Sequence, residues 1–226
     1  MKRFVLYTCS LSLLLSISAA QASVTVGGTR VIYDGSKKET SLSVENKDSV
    51  ANLVQSWLVP ADSAPKDGII ITPPLFRLNV GEKNVLRFVR SGSPLPEDRE
   101  SLYWLNVKGI AATEDGQDKN TMQIAVNTRI KLIYRPAALK GTLPEDVANQ
   151  VKWKIDGNNL MVTNPTHYYM NFATVKLNGK EASNVTYVAP TSTLSFTLSS
   201  GDKNGTITWR IYNDFGMAGP EHKAQL

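Results

Sequence analysis

Thr193-Leu194-Ser195-Phe196-Thr197-Leu198-Ser199 decides the fold class. Its apolar residues alternate with small hydroxyl residues, the period-two pattern of a strand with one buried face. Thr206-Ile207-Thr208-Trp209-Arg210-Ile211 repeats it, and Leu42 and Val44 alternate with Ser41, Ser43 and Glu45. Turn signals stand between such runs: Tyr33-Asp34-Gly35-Ser36, Lys66-Asp67-Gly68, Asp115-Gly116, Asp156-Gly157-Asn158-Asn159, Asn178-Gly179 and Asn204-Gly205. No apolar stripe of helical spacing exceeds about two turns in the chain after its first segment. Short strands at intervals of about ten residues predict an all-β protein built of antiparallel sandwiches.

The first segment sets the compartment. Lys2 and Arg3 precede a mostly apolar run from Phe4 to Ile17, and Ala20-Gln21-Ala22 offers the small-x-small site of a signal peptidase. The run is shorter than the roughly 20 residues of a membrane span and is interrupted by Ser and Thr. Residues 1–22 are therefore expected to be a cleaved signal peptide, with the exported chain starting at Ser23. The single cysteine, Cys9, leaves with it, so stability must come from burial and not from disulfides. Of the formal charge of +5, Lys2 and Arg3 account for two. The remaining basic residues are scattered, without a tract that could follow a phosphate backbone, which argues against nucleic acid as a partner.

Pro136 follows a strand ending in Leu132-Ile133-Tyr134-Arg135, and Ala137 to Pro144 reads as a connector before a new strand, Val151-Lys152-Trp153-Lys154-Ile155. One domain is placed at 23–139 and a second at 140–226. Neither carries recognisable catalytic apparatus: there is no G-x-S-x-G elbow, no phosphate loop, no G-x-G-x-x-G and no H-E-x-x-H. The two histidines, His167 and His222, lie far apart and read as a turn residue and a frayed C-terminal residue, not as metal ligands. Glu97 and Asp98 beside Pro96 read as solvated loop charges. Nothing calls for a catalytic residue, a metal, a cofactor or a small-molecule substrate.

One segment stands apart. Leu95-Pro96-Glu97-Asp98-Arg99-Glu100-Ser101-Leu102-Tyr103-Trp104-Leu105-Asn106-Val107 runs from a charged turn into a strand apolar on both faces, the mark of a sheet centre. Together with Thr29-Arg30, Thr72-Pro73-Pro74 followed by Arg77-Leu78, Arg129 to Pro136, Asn164-Pro165-Thr166-His167-Tyr168-Tyr169 and Ile211 to Gly216, it closely resembles the periplasmic pilus-assembly chaperones, in the family's order and along the whole exported chain. The resemblance implies two immunoglobulin-like sandwiches set at an angle around a cleft. It also implies a periplasmic chaperone that binds pilus subunits by donor-strand complementation, prevents premature polymerisation and hands them to an outer-membrane usher. That mode is a known form of β-augmentation. Whether the free protein associates with itself stays open. The alternative, a structural pilus subunit or adhesin domain, conflicts with the missing disulfide and with a first strand, Ser23 to Val31, continuous with the domain.

The resemblance also assigns roles. Arg30 and Lys131 correspond to the cleft pair that grips the subunit's C-terminal carboxylate; two cations can satisfy its two oxygens. Met122, Ile124 and Val126 correspond to the donor row, on a strand expected to run from about 120 to 135. Their alternation alone fits equally a row that faces the domain's own core. Lys131 has opposite parity to this row, so either a twist or bulge intervenes or two faces of one strand are used. Glu100, Arg135 and Asp214 correspond to an ion-pair network between the domains.

Overall fold

The computed structural model describes residues 24–62, 64–112, 124–198, 201 and 204–226. Its first part contains β1 (Val24–Val26), β2 (Arg30–Asp34), β3 (Glu39–Asn46), β4 (Asn52–Pro60), β5 (Ile69–Thr72), β6 (Leu75–Leu78), β7 (Lys83–Arg90), β8 (Ser101–Ala111) and β9 (Val126–Arg135). They form two facing sheets, β1-β3-β7-β5 and β2-β9-β8-β4-β6. Val44, Val54, Leu86, Phe88, Tyr103, Leu105, Leu132 and Tyr134 fill the space between them. β2 pairs with β9 in parallel and every other pairing in this sandwich is antiparallel.

Short helical turns at Ala137–Leu139, Pro144–Val147 and Ala148–Gln150 make the connector. Pro136 and Pro144 suit it, since neither can donate to a ladder. Beyond it lie β10 (Lys152–Asp156), β11 (Asn159–Asn164), β12 (Met170–Leu177), β13 (Lys180–Glu181), β14 (Tyr187–Val188), β15 (Ser192–Thr197), β16 (Thr206–Ile211) and β17 (His222–Gln225). One sheet runs β10-β11-β15 and the other β13-β12-β16-β17, with β14 also on β12. Phe196, Leu198, Ile207, Trp209 and Ile211 point into their common core, whereas Leu194, at the start of its alternating run, stays 39% exposed.

β8 is the middle strand of its sheet and buries both faces for different reasons. Tyr103, Leu105 and Val107 enter the first core. Leu102, of opposite parity, joins Ala61, Ile133 and Tyr169 in a small apolar cluster between the two sandwiches. The alternation thus reports a core on one side and a domain contact on the other.

Two expectations need correction. His222 is not a frayed residue: it opens β17, opposite Trp209, and its ring stacks on that indole at 5.6 Å. Ladder pairing with the sheet's partner strand holds the tail in place. Among the described residues, the strand expected from about 120 is paired from Val126 onward, which faces Gly109 of β8. Ile124 and Ala125 lie outside the paired strand, and Met122 lies outside the described residues.

Candidate functional site

After β1 the chain leaves one sheet and joins the other through Gly27-Gly28. A Cβ at Gly27 would collide with Ser43 Oγ, so the crossing needs that residue's missing side chain. The crossing ends at Arg30, the first residue of β2 and the register partner of Lys131 on β9. Because β2 begins there, β9 from Val126 to Ile130 has β8 on one side and no strand on the other among the described residues. A length of backbone edge thus ends at two adjacent cations.

Both cations are set in a poor solvent and left without a counter-ion. Lys131 Nζ donates to Asn171 Oδ1 at 2.5 Å and lies 4.8 Å from the Tyr187 ring and 5.6 Å from that of Trp104. The Arg30 guanidinium lies over Tyr212 at 5.4 Å, and its buried Nε has no hydrogen-bond acceptor. Burial, reinforced by the neighbouring Arg30, pushes the Lys131 ammonium down to about 8. Burial also lowers Arg30, against the pull of Asp214, Tyr212 and Glu145. Among the described residues neither Arg30 nor Lys131 forms an ion pair. Aromatic faces soften the cost without cancelling it, so an anion arriving here would find donors already aimed and charge uncompensated.

The pairing of β9 with β8 is regular from Val126 to Tyr134, with no bulge, so Lys131 and Val126 use opposite faces of the strand. Ile130, Leu132 and Tyr134 share the face of Val126 and pack in or against the first core. Val126 continues that line past the end of the core and is 47% exposed; Ile124, further out, is 69% exposed. Val126 therefore has the direction of the core residues without their cover.

A few residues along the same strand, charge is handled in the opposite way. Arg135 Nε donates to Glu100 Oε1 at 2.7 Å, and its Nη1 and Nη2 donate to the two Asp214 oxygens at 2.7 and 2.8 Å. The Tyr169 N–H donates to the second Glu100 oxygen at 2.7 Å. Glu100 thus bonds both sandwiches, and Arg135 of the first is forked onto Asp214 of the second. Burial pushes Glu100 up to about 7, against the pull of Arg135 and the Tyr169 N–H. Burial also opposes the Arg135 charge, but Asp214 and Glu100 reverse this and hold it above the ordinary arginine value. The three residues form one network across the junction.

Residues 23–140 match the family described as "Pili and flagellar-assembly chaperone, PapD N-terminal domain". Residues 146–223 match "Pili assembly chaperone PapD, C-terminal domain". The chain belongs to this chaperone family. It is 45% identical over 210 residues to the probable fimbrial chaperone LpfB of Escherichia coli O157:H7, covering 92% of this chain and 90% of that one. It is 37% identical to the chaperone protein FimC of Escherichia coli K12, covering 89% and 84%. The chaperone SafB, solved in complex with the Salmonella enterica SafA pilin, superposes with a TM-score of 0.82 at 36% identity, covering 92% of this chain and 99% of that one. The two-sandwich fold is that of these pilus chaperones, and the family is not a class of enzymes.

The chaperone's cleft contains residues that sequence reasoning did not single out. Asn171 and Tyr187 come from the second sandwich and, with Tyr212 of the quoted Ile211 to Gly216 stretch, close around Arg30 and Lys131. No spacing in the sequence links them to Lys131. Trp104 was within reach: it sits in the quoted β8 segment with parity opposite to Tyr103, and so had to face away from the first core.

Proposed function

We propose that this chaperone captures the last strand of a pilus subunit on the open edge of β9, with the subunit's terminal carboxylate held by Arg30 and Lys131. The observation that carries this is the meeting of an unpaired edge with two half-buried cations lacking a counter-ion. A chain end supplies both needs at once, backbone N–H and C=O groups for the edge and a carboxylate for the cations. The direction follows: a strand ending at Lys131 and lying along Val126 to Ile130 runs parallel to β9, in line with β2. Ile124 and Val126, with Met122 upstream, then enter the subunit's own unfinished core, each contributing about 1.5–3 kcal/mol on full burial.

The rest of the proposal draws its support from the family resemblance. Glu100, Arg135 and Asp214 fix the angle at which the cleft meets its client, and the division falls at 139/140. Residues 1–22 direct export to the periplasm, where the chaperone keeps subunits from polymerising early and passes them to an outer-membrane usher. Among the described residues no helix is long and apolar enough to cross a membrane. A peptide copying a subunit's C-terminal strand should bind the intact protein, and amidating its carboxylate should weaken binding at least tenfold, the scale of a lost charge-assisted hydrogen bond. Equal binding of acid and amide would overturn the carboxylate clamp.

A further inference from the structure

Arg30 has an acidic neighbour that the carboxylate clamp does not use. Between β16 and β17 the chain folds back on itself: Tyr212 bridges to Ala218, the Asn213 N–H donates to the Met217 carbonyl at 2.9 Å, and the Gly219 N–H donates to that of Ile211 at 2.8 Å. The base of this turn is tied to the cleft, since the Tyr212 N–H donates to the Asn171 carbonyl at 2.7 Å and the Asn171 side chain accepts from Lys131. Two of its glycines lie against charged side chains. A Cβ on Gly216 (φ +83°) would stand 3.7 Å from Arg30 Nε, and one on Gly219 would stand 3.6 Å from Glu145 Cγ. Glu145 comes from the connector, in the short helix Pro144–Val147. Its Oε2 is buried with no hydrogen-bond partner, as Arg30 Nε is, and among the described residues it forms no ion pair. It attracts Arg30 without bonding it; Asp214 attracts Arg30 more strongly but has both oxygens on Arg135.

We infer that Glu145 tunes the clamp: its carboxylate repels the client's terminal carboxylate at Arg30 and so limits how tightly that chain end is held. The inference rests on the anchoring proposed above and uses only the client's terminal charge, not the place of any other client residue. An acid bonded to Arg30 would close the site, as Asp214 and Glu100 close Arg135. Held short of a bond, Glu145 leaves the Arg30 donors open and contributes charge alone. In the free chaperone that charge offsets part of the cost of half-burying Arg30. Once a client carboxylate arrives, two anions share one guanidinium in partly buried surroundings, where like charges repel far more than in water. Glu145 thus favours the empty cleft over the filled one, which keeps a captured chain end releasable.

The test uses a synthetic peptide of alternating valine and threonine, made as free acid and as amide. Its binding to the full exported chain is measured by calorimetry, with Glu145→Gln, Glu145→Ala and Glu145→Asp beside the parent. Gln keeps the size and removes the charge, Ala removes both, and Asp keeps the charge. Glu145→Gln and Glu145→Ala should bind the acid about three- to tenfold more tightly than the parent and the amide no differently. The gain should appear as slower release of the acid, and Glu145→Asp should bind closer to the parent than to Glu145→Gln. Should one charge-removing variant fail to fold, the other carries the comparison. Acid binding unchanged or weakened without the charge, or acid and amide tightened equally, overturns the role of Glu145 and, where the parent still prefers acid, leaves the anchor standing. Loss of acid preference in the parent, or no binding of either peptide, overturns the anchor and this inference with it.

Discussion

Replacing Lys131 by methionine should make the free chaperone more stable while disabling it. Holding the ammonium near 8 and not at 10.5 corresponds to about 3 kcal/mol against the charged form at neutral pH. The side chain is only half-buried, which trims that figure. The substitution also removes the bond to Asn171, worth about 1 kcal/mol net. Methionine keeps the length and apolar stem, so the expected gain is about 1–2 kcal/mol at pH 7. Between 8 and 10.5 the unfolded parent retains the lysine proton and the folded parent has lost it, so the parent gains stability as pH rises through that window. The advantage of Lys131→Met should be full below 8 and fade toward 10.5. Urea unfolding of both proteins at several pH values measures this difference directly. A variant less stable than the parent at pH 7, or an advantage that does not change with pH, would refute the claim that a burdened cation sits in the cleft.

Other consequences can be measured on the same protein. Arg135→Ala leaves Glu100 buried without its partner, which should cost about 3–5 kcal/mol and widen the spread of domain angles in small-angle scattering; unchanged melting and scattering would remove the network from the account. Ile124→Asp should abolish capture of a pilus subunit with little change in melting temperature, because the side chain is 69% exposed; a variant that unfolds would show that the row belongs to the chaperone's own core. Intact mass of the exported protein should begin at Ser23, and a chain retaining Lys2 and Arg3 would reverse the compartment.

What could be read from the sequence was what repeats along it. Alternation at Thr193–Ser199 and Thr206–Ile211 marks strands because each strand has one face in a core, and Pro136 and Pro144 mark the connector because proline cannot pair. The cleft was legible only through the family's landmarks. Lys131 has the same local surroundings as any strand lysine that faces solvent; what makes it different is Asn171 and Tyr187, brought in by the second sandwich. Parity alone left two accounts of Lys131 and the donor row, because a single bulge upstream would have turned one face into the other. The unbroken register with β8 puts Val126, the last of that row, on the face opposite Lys131. The expected start of β9 near 120 had no such support, since a strand's end depends on where its neighbours stop.

The strongest physical sign of function is a contrast within β9. At Arg135 the fold surrounds a buried cation with carboxylates from both sandwiches, at the short distances of charge-assisted bonds. At Lys131, four residues earlier on the same face, it brings up Asn171, two aromatic rings and a second cation, and no carboxylate. Stability alone would favour an acid at one of the surrounding places, or an apolar residue in place of the lysine. Side chains near Arg30 that could have closed such a pair are already present: Asp214 is committed to Arg135, and Glu145 attracts Arg30 without bonding it. A cost of this kind persists where the missing charge arrives with a partner, and in the proposed reading that partner is a chain end, which would bring a strand to the open edge and a carboxylate to the cations.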